Sequence, residues 1–248
     1  MDRFKYNKKP KILFCTGAGA SKESGLNTFR DPQTGYWRQY NPMEIASIKA
    51  LENDPIEVNK FYNERRMALA NVIPNYFHEF VALTQKKYGS DRVAVMTTNV
   101  DDLHERTGLD QVYKIHGSLK EIVTFEGEVK NIGYQPLTGE DLTSCRPNVV
   151  MFGESSYVKN GKLFNPYPEI EKTINLLNSH DVMFIVGCSS AVVNFPAIAM
   201  FNLNNPKVYI VNPNDGDSLI VSGREKVIKH SACDAVQYIE DIILEIMN

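Results

Sequence analysis

Short apolar runs recur along the chain, and most of them are continuous rather than alternating with polar residues. They predict strands over Lys11–Thr16, Arg92–Thr97, Val112–Ile115, Asn148–Phe152, Asp181–Val186 and Lys207–Val211. Continuous apolar strands are typical of a sheet that is covered on both faces. Helical patterns separate most of these strands. This alternation predicts an α/β fold with a parallel six-stranded sheet and helices on both faces.

The same periodicity indicates where the alternation stops. Apolar positions at helical spacing predict helices over Asn53–Ala70, Asn75–Lys87, Glu169–Asn178 and Asp234–Met247. Residues 31–89 contain only helical patterns, and residues 118–146 contain a predicted hairpin, Leu119–Phe125 and Val129–Tyr134. We expect one domain whose sheet core comprises residues 1–35, 91–117 and 147–248, to within a few residues. The two insertions, residues 36–90 and 118–146, would form a smaller lobe.

Composition limits the classes of function. The chain has 248 residues, 43% hydrophobic and 23% charged, as in ordinary globular proteins. Its net charge of −3 gives no case for a nucleic-acid partner. No apolar run approaches the ~20 residues of a membrane span, and the N-terminal apolar run is too short for a signal peptide. The four cysteines are scattered. We therefore expect a soluble cytoplasmic protein with reduced thiols, no membrane partner and no metal site.

A glycine-rich segment, Gly17–Gly25, directly follows the first predicted strand. Small residues at this point let a backbone approach a pyrophosphate, although a tight turn alone also uses glycine, and the two interpretations are about equally weighted. The dehydrogenase fingerprint is incomplete, because its third glycine would fall at Lys22 and no carboxylate lies in Trp37–Tyr40. The segment therefore favours dinucleotide binding without hydride transfer.

Polar or small residues follow the later strands as well. They are Asn99, Asp101 and Asp102, then His116-Gly117, then Gly187-Cys188-Ser189, and finally Asn212-Pro213-Asn214. Ligands of open parallel sheets bind beyond the carboxyl ends of the strands. One of the two aspartates could instead cap a helix, and a lone histidine is often structural. As a catalytic group, His116 would titrate near neutral pH and take a proton from a sugar hydroxyl.

Together these segments resemble the sirtuins, which are NAD-dependent protein deacylases with a Rossmann-like fold. Gly17–Arg30 matches the family's G-A-G-x-S-x-x-S-G-I-x-x-F-R motif, and Thr98–His104 is similar to Q-N-I-D-x-L-H. His116-Gly117 stands where the family has its catalytic His-Gly, Arg146–Glu154 resembles R-P-x-V-V-x-F-G-E, and Gly187–Ser189 resembles G-T-S. Order and spacing agree across almost the whole chain.

The resemblance implies a site and a reaction. NAD would be held by Gly17, Ala18, Gly19, Ala20, Ser21, Ser24, Phe29, Arg30, Trp37, Thr98, Asn99, Val100, Asp101, Gly187, Cys188, Ser189, Asn212, Pro213, Asn214 and Ala232. The catalytic residues would be His116, Asn99 and Asp101, with His116 as general base. Val150, Phe152 and Gly153 would offer a strand edge to an acyl-lysine peptide or protein. The products would be free lysine, nicotinamide and O-acyl-ADP-ribose.

The acyl group is predicted from a Tyr-x-x-Arg pair. Tyr62 and Arg65 lie three residues apart on one face of a predicted helix and resemble the pair of the subgroup that removes succinyl and malonyl groups. A guanidinium can grip the terminal carboxylate of such a chain through two parallel hydrogen bonds. Arg66 is also within helical reach of Tyr62, so the choice of Arg65 comes from the resemblance. An ordinary amphipathic helix is the alternative.

Three departures from the family pattern leave alternatives open. Thr98 replaces the usual Gln, Cys188 replaces Thr, and Cys145 stands alone where sirtuins usually carry four zinc-binding cysteines. A second enzyme class, an NAD glycohydrolase or ADP-ribosyltransferase, would use the same cleft with a different acceptor. A non-catalytic NAD-binding module is the third hypothesis. The sequence predicts no oligomeric state.

Overall fold

The computed structural model describes residues 9–28, 41–189, 192–214 and 219–247. Its strands are β1 (Ile12–Thr16), β2 (Val93–Thr97), β3 (Val112–Lys114), β4 (Gly117–Thr124), β5 (Val129–Asn131), β6 (Cys145–Val149), β7 (Tyr157–Lys159), β8 (Lys162–Phe164), β9 (Val182–Val186), β10 (Lys207–Val211) and β11 (Lys226–Ile228). Its helices are α1 (Pro42–Ile45), α2 (Ile48–Asn53), α3 (Pro55–Leu69), α4 (Tyr76–Tyr88), α5 (Leu103–Arg106), α6 (Asp141–Ser144), α7 (Tyr167–Asn175), α8 (Phe195–Met200) and α9 (Val236–Met247). A 3₁₀ helix spans Ala18–Ser24.

Six parallel strands form the main sheet, in the order β11-β10-β9-β1-β2-β3. The predicted α/β fold with a six-stranded parallel sheet is thus confirmed. One predicted strand of this sheet was wrong. We expected Asn148–Phe152 to belong to it, but the sixth strand is β11. Residues 145–149 instead form β6, which pairs antiparallel with β4 in a separate three-stranded sheet. An apolar run predicts a buried strand but does not identify its partner, which explains the error.

Helices cover both faces of the main sheet. The side chains of β1 alternate between the faces, so Ile12 and Phe14 pack with residues of α4 and α9, whereas Leu13 and Cys15 pack with residues of α7 and α8. Helix α4 lies within the predicted 36–90 lobe, yet its Phe77 belongs to the core under the main sheet. This helix is part of the sheet layer because its apolar face is buried there.

A second core joins α3 to the antiparallel sheet. Phe61, Tyr62 and Leu69 of α3 pack against Leu119 of β4 and Val149 of β6. This core sits beside the carboxyl ends of the main strands, since β4 begins immediately after His116. The residues at which the sheet core ends and the smaller lobe begins stay a prediction.

Across the described residues, no helix has both the length and the apolar character needed to cross a bilayer. The longest described helix, α3, has 15 residues.

Candidate functional site

The strands around β1 end in register, which determines where a site can form. Thr16 pairs with Thr97 of β2 and with Val186 of β9. The chain order reverses between β1 and β9, because β2 and β3 lie on one side of β1 whereas β9 to β11 lie on the other. Such a switch point leaves a crevice beyond the carboxyl ends of the strands, where ligands of α/β proteins bind. Gly17 and Gly187 flank that crevice.

Glycine is required here by the approach of two loops to each other. Gly17 donates its N–H to Val186, and Gly19 donates to the carbonyl oxygen of Gly187, each at 3.0 Å. A Cβ added at Gly19 would lie 2.7 Å from the Cα of Gly187, and one at Gly187 would lie 2.4 Å from the nitrogen of Ala20. Gly187 also has a φ of +64°. The glycines therefore let the loops pack, which places the 3₁₀ helix directly over the ends of β1 and β9.

A buried polar network connects the 3₁₀ helix to the loop that follows β2. Asn99 donates through Nδ2 to the carbonyl oxygen of Gly17 at 3.0 Å and to Oγ of Ser21 at 3.1 Å. Ser21 donates in turn to Oδ2 of Asp101 at 2.9 Å. All three side chains are buried. The structure thus brings together three residues that the sequence predicted to share one site.

His116 follows β3 and lies beside this network. Its Nδ1 is 3.1 Å from the carbonyl oxygen of Thr98. Because a carbonyl only accepts hydrogen bonds, Nδ1 carries the proton and Nε2 keeps its lone pair. Nε2 is buried and has no hydrogen-bond partner among the described residues. Burial lowers the pKa of His116 to about 4, and the bond to Thr98 opposes this shift. His116 is therefore neutral near pH 7 and can accept a proton at Nε2.

Backbone packing fixes the position of His116. Gly117 has a φ of +81°, and a Cβ there would lie 2.1 Å from the carbonyl oxygen of Asn148. Val150 donates its N–H to the carbonyl oxygen of His116 at 3.0 Å. No L-residue with a side chain fits position 117 without a shift of the β4–β6 pair. The His-Gly motif thus has a steric reason.

Other residues predicted at the NAD site lie around the same crevice. Ala18, Ala20 and Ser24 belong to the 3₁₀ helix, and Thr98 donates through Oγ1 to Thr16 at 3.1 Å. The carbonyl oxygen of Val100 accepts from Leu119. Ser24 Oγ is buried without a hydrogen-bond partner in the described part of the chain. Phe29, Arg30 and Trp37 lie outside the described residues.

The far side of the crevice is formed by the loops after β9 and β10. Cys188 is buried, with Sγ 3.6 Å from the carbonyl oxygen of Cys15, and burial raises the pKa of its thiol to about 12. Asn212 donates through Nδ2 to Cys188 at 3.3 Å, which links the two loops. Ser189, Pro213 and Asn214 are exposed. Ala232 is buried next to Ser231 and Cys233, both of which hydrogen-bond to Glu23 of the 3₁₀ helix.

The two residues predicted to bind the acyl chain lie on α3. Tyr62 is buried, and burial raises the pKa of its phenol, which is therefore a hydrogen-bond donor at neutral pH. Arg65 is half-buried, with its guanidinium carbon 4.3 Å from the centroid of the Phe61 ring. Arg66 is fully buried and donates to Asn63 Oδ1 and to the carbonyl oxygen of Leu119. Arg66 is thus engaged in packing, so of the two arginines of α3 it is Arg65 that acts on Tyr62; Arg146 of β6 also acts on this phenol but is paired with Glu154.

The segment predicted to pair with a peptide is partly used within the chain. Phe152 donates its N–H to Ala46 at 2.9 Å and accepts from Ile48 at 3.0 Å. The N–H of Val150 is bonded to His116, as described above. These two main-chain groups of Phe152 thus bond Ile48, the first residue of α2, and Ala46, two residues before it. Peptide pairing along this segment stays a prediction. Gly153 is exposed and takes part in none of the main-chain bonds between described residues.

Hydrogen bonds around Asp102 that the sequence did not predict connect the elements next to the site. Asp102 accepts from Arg106 at 2.9 Å, from Lys120 at 3.1 Å and from Tyr134 at 2.6 Å. Burial opposes ionisation of Asp102, but these three donors together lower its pKa. Helix capping was the alternative for this pair of aspartates. Asp102 is the N-cap residue of α5, but its side chain makes no capping bond, and it is Asp101, one residue earlier, that accepts from the N–H of Leu103 at 3.1 Å.

Helix α3 contributes a second set of missed residues. Asn59 donates to the carbonyl oxygens of Leu142 and Cys145, each at 2.9 Å, and Asn63 donates to that of Leu137 at 2.8 Å. With Arg66 these asparagines have spacings of four and three, so they lie on one helix face. That spacing was visible in the sequence, but polar residues on a helix more often face water.

The described residues contain no group of three or more His, Cys, Asp or Glu side chains able to hold a metal ion. Cys145 is half-buried and lies at the start of β6. Four-ligand zinc geometry does not fit the residues in this part of the described chain. The absence of zinc from the protein stays a prediction.

Comparisons with known proteins agree on one family. A model of the Sir2 family matches residues 17–194. A Bacteroides thetaiotaomicron protein named NAD-dependent protein deacylase is 31% identical over 244 residues, which cover 94% of this chain and 97% of the relative. The NAD-dependent protein deacylase Sir2 of Mycolicibacterium smegmatis is 36% identical over 233 residues, covering 87% of this chain and 91% of the relative. A solved structure of a Sir2 homologue–NAD complex is 25% identical, with a TM-score of 0.77 over 97% of this chain and 92% of that one.

Proposed function

The chain belongs to the Sir2 family, and from this premise we propose that it is an NAD-dependent protein deacylase that removes succinyl and malonyl groups from lysine in preference to acetyl groups. The observation that carries the enzymatic part is the buried Nε2 of His116, which has no partner in the described part of the chain and lies beside Asn99 and Asp101 at the switch point of the sheet. A buried nitrogen with an open lone pair costs free energy unless a ligand satisfies it. A bound hydroxyl that donates a hydrogen bond to Nε2 would remove that cost.

The residues present fit NAD. The Oγ of Ser24, in the 3₁₀ helix beside the crevice, is buried without a partner in the described residues and is proposed to donate to a pyrophosphate. Asn99 and Asp101 supply amide and carboxylate oxygens for the nicotinamide ribose and carboxamide. Gly187, Ser189 and Asn212 lie on the side expected for the adenosine half. When bound, NAD supplies the ADP-ribosyl group that takes the acyl group from lysine, with nicotinamide as the leaving group.

Each catalytic residue has a role that its contacts support. His116 accepts a proton at Nε2 from the ribose hydroxyl that attacks the acyl carbon, and its bond to Thr98 keeps the ring in the required tautomer. Asn99 and Asp101 orient the ribose and are themselves held by Ser21. Phe29, which lies outside the described residues, is proposed to exclude water from the reacting carbon.

An extended acyl-lysine peptide is proposed to bind along the segment that follows β6. The exposed main chain of Gly153 is available for pairing, whereas Phe152 contributes its side chain only, since its main-chain groups are bonded to Ala46 and Ile48. Val150 lies next to His116 through its N–H bond. A peptide added here would present its lysine toward the crevice, as strand addition positions alternate side chains.

The acyl preference rests on Tyr62 and Arg65 of α3. A succinyl chain ends in a carboxylate, which can accept two hydrogen bonds from a guanidinium and one from a phenol. An acetyl group has no terminal carboxylate to accept from those donors, so discrimination of about 2–4 kcal/mol is expected. Both side chains are at least half-buried, which strengthens such bonds.

Arg65→Met tests this preference. We expect the wild type to remove succinyl groups from a lysine peptide faster than acetyl groups, and the variant to lose desuccinylation while it keeps deacetylation. The measurement is mass spectrometry of matched succinyl, malonyl and acetyl peptides with NAD. Lys60→Met is the control, because Lys60 is an exposed cation on the same helix. Faster removal of acetyl groups by the wild type, or equal losses of both activities in Arg65→Met, would contradict the preference.

A further inference from the structure

Lys114 is a half-buried cation beside the catalytic loop. It is the last residue of β3, two positions before His116, and its side chain is only 15% exposed. Its Nζ donates to the main-chain carbonyl oxygen of Asp101 and forms an ion pair with Glu105 at 3.0 Å. The carbonyl oxygen of Lys114 accepts from the hydroxyl of Tyr157 at 2.8 Å, which fixes the backbone. Lys114 thus links β3 to the Asn99–Asp101 loop and to α5.

Asp101 is a carboxylate in an environment that disfavours its charge. It is buried, and its oxygens accept from Ser21 and from the N–H of Leu103. Burial raises the pKa of Asp101, and the positive charge of Lys114 counteracts that rise, whereas Glu105 adds to it. In the described residues, Lys114 is the cation that acts on this carboxylate.

The other titratable groups around the loop are already engaged. Asp102 is balanced by Arg106 and Lys120. His104 lies 3.2 Å from Thr16 Oγ1 and next to His78. Burial lowers the pKa of His104 well below its usual value, so it carries no charge at neutral pH. These groups do not replace the charge of Lys114 at Asp101.

We propose that Lys114 is a positioning residue for the nicotinamide end of NAD. It holds the main chain of Asp101 in place and keeps a positive charge beside the carboxylate, so that Asn99 and Asp101 meet the ribose in one fixed geometry. The proposal rests on the proposed NAD site. It concerns binding of the cofactor, and it can therefore be tested apart from the chemistry of acyl removal.

The test is calorimetric titration of NAD into the wild type, Lys114→Met, Lys114→Gln and Lys114→Arg between pH 5 and pH 8. We expect Met and Gln to raise the Kd for NAD about tenfold at pH 7, since they remove the charge. Without the cation the pKa of Asp101 rises, so protonation begins at a higher pH and binding weakens sooner on acidification. Lys114→Arg keeps the charge and should bind NAD as the wild type does, to within about threefold.

Lys159→Met controls for the loss of one lysine nearby, since Lys159 is exposed and also borders the shallow groove beside Lys114. Unchanged Kd values and an unchanged pH dependence in Lys114→Met and Lys114→Gln would overturn the proposal, as would an equal loss in Lys114→Arg. Thermal unfolding of every variant separates positioning from folding, and loss of fold in both uncharged variants would mean a merely structural role.

The proposed function and this inference fail differently. A wild type that binds NAD but removes no acyl group contradicts the deacylase, while the comparison of Kd values still decides the role of Lys114. A wild type that does not bind NAD at all overturns both.

Discussion

His116 is the residue on which the chemistry depends most. His116→Ala should reduce acyl removal by roughly 10²–10⁴-fold, the usual contribution of a positioned acid–base group. The affinity for NAD should stay nearly unchanged, because the ring contributes one hydrogen-bond acceptor among many contacts. The measurement pairs deacylation rates with calorimetric NAD binding. Near-wild-type turnover in the variant would remove His116 from the mechanism.

The pH dependence of the wild type follows from the same side chain. Because burial lowers the pKa of His116 to about 4, the neutral form that accepts a proton persists at neutral pH. Protonation on acidification removes the acceptor, so kcat/KM should fall as pH decreases through the pKa and should not fall between pH 8 and pH 6. Asp101, with a raised pKa, would reinforce the acidic limb.

The positions of the candidate site residues at the strand ends were predictable from sequence, whereas their contacts were not. Asn99, Asp101 and His116 could be named because they follow predicted strands in a recognisable order. The roles of Lys114 and Asp102 could not, since their partners come from segments 4 to 32 positions away along the chain. Charged residues at such positions usually face water, and only the packing of β3, β4 and α5 brings them inward.

At the scale of elements, the two glycine loops test the account of the crevice. Gly187→Ala should destabilise the protein by more than ~1 kcal/mol, since φ is +64° and the added Cβ would lie 2.4 Å from Ala20. NAD binding should be lost with it, because the 3₁₀ helix is displaced. The measurement combines denaturant unfolding with NAD titration.

Gly127→Ala is the matched control for this element. Gly127 has a φ of +84°, but an added Cβ would meet no atom within 4 Å, so the substitution brings backbone strain alone, about 1–2 kcal/mol. It should leave NAD binding intact. Equal effects of the two substitutions on binding would mean that close loop packing is not what the site requires.

Helices with a strong apolar periodicity were predicted well. Strands were predicted poorly where their position depends on which other strand they pair with. The helix predicted over Asn53–Ala70 is α3, Pro55–Leu69, and that predicted over Asp234–Met247 is α9, Val236–Met247. Strand β11 has three residues and polar flanks, so it carries no signal of its own. The apolar residues of Asn148–Phe152 predict a strand. They do not predict that β6 pairs with β4, because these two strands are distant in sequence.

For the molecule as a whole we predict that no zinc is bound, so other contacts must stabilise the smaller lobe. Three side chains of α3, those of Asn59, Asn63 and Arg66, donate to main-chain carbonyl oxygens. The acceptors are Leu119, Leu137, Leu142 and Cys145. Buried bonds of this kind cost about 1–3 kcal/mol when one partner is removed. They provide a metal-free way to fix the segments between β4 and β6.

We therefore expect no stoichiometric zinc in the purified protein, and a melting temperature unaffected by a chelator. Elemental analysis and thermal unfolding are the measurements. Asn63→Ala should lower stability by about 1–3 kcal/mol, because Leu137 then loses its partner. One zinc per chain, or unfolding on chelation, would contradict this account.

We expect this protein to couple acyl removal to the consumption of NAD. A succinyl-lysine peptide incubated with the protein, with and without NAD, should be followed by mass spectrometry of the peptide and of the nucleotide products. The succinyl group should be lost only when NAD is present, with one nicotinamide and one O-succinyl-ADP-ribose for each lysine freed. Release of nicotinamide while the peptide stays acylated, or an intact peptide and intact NAD, would contradict it.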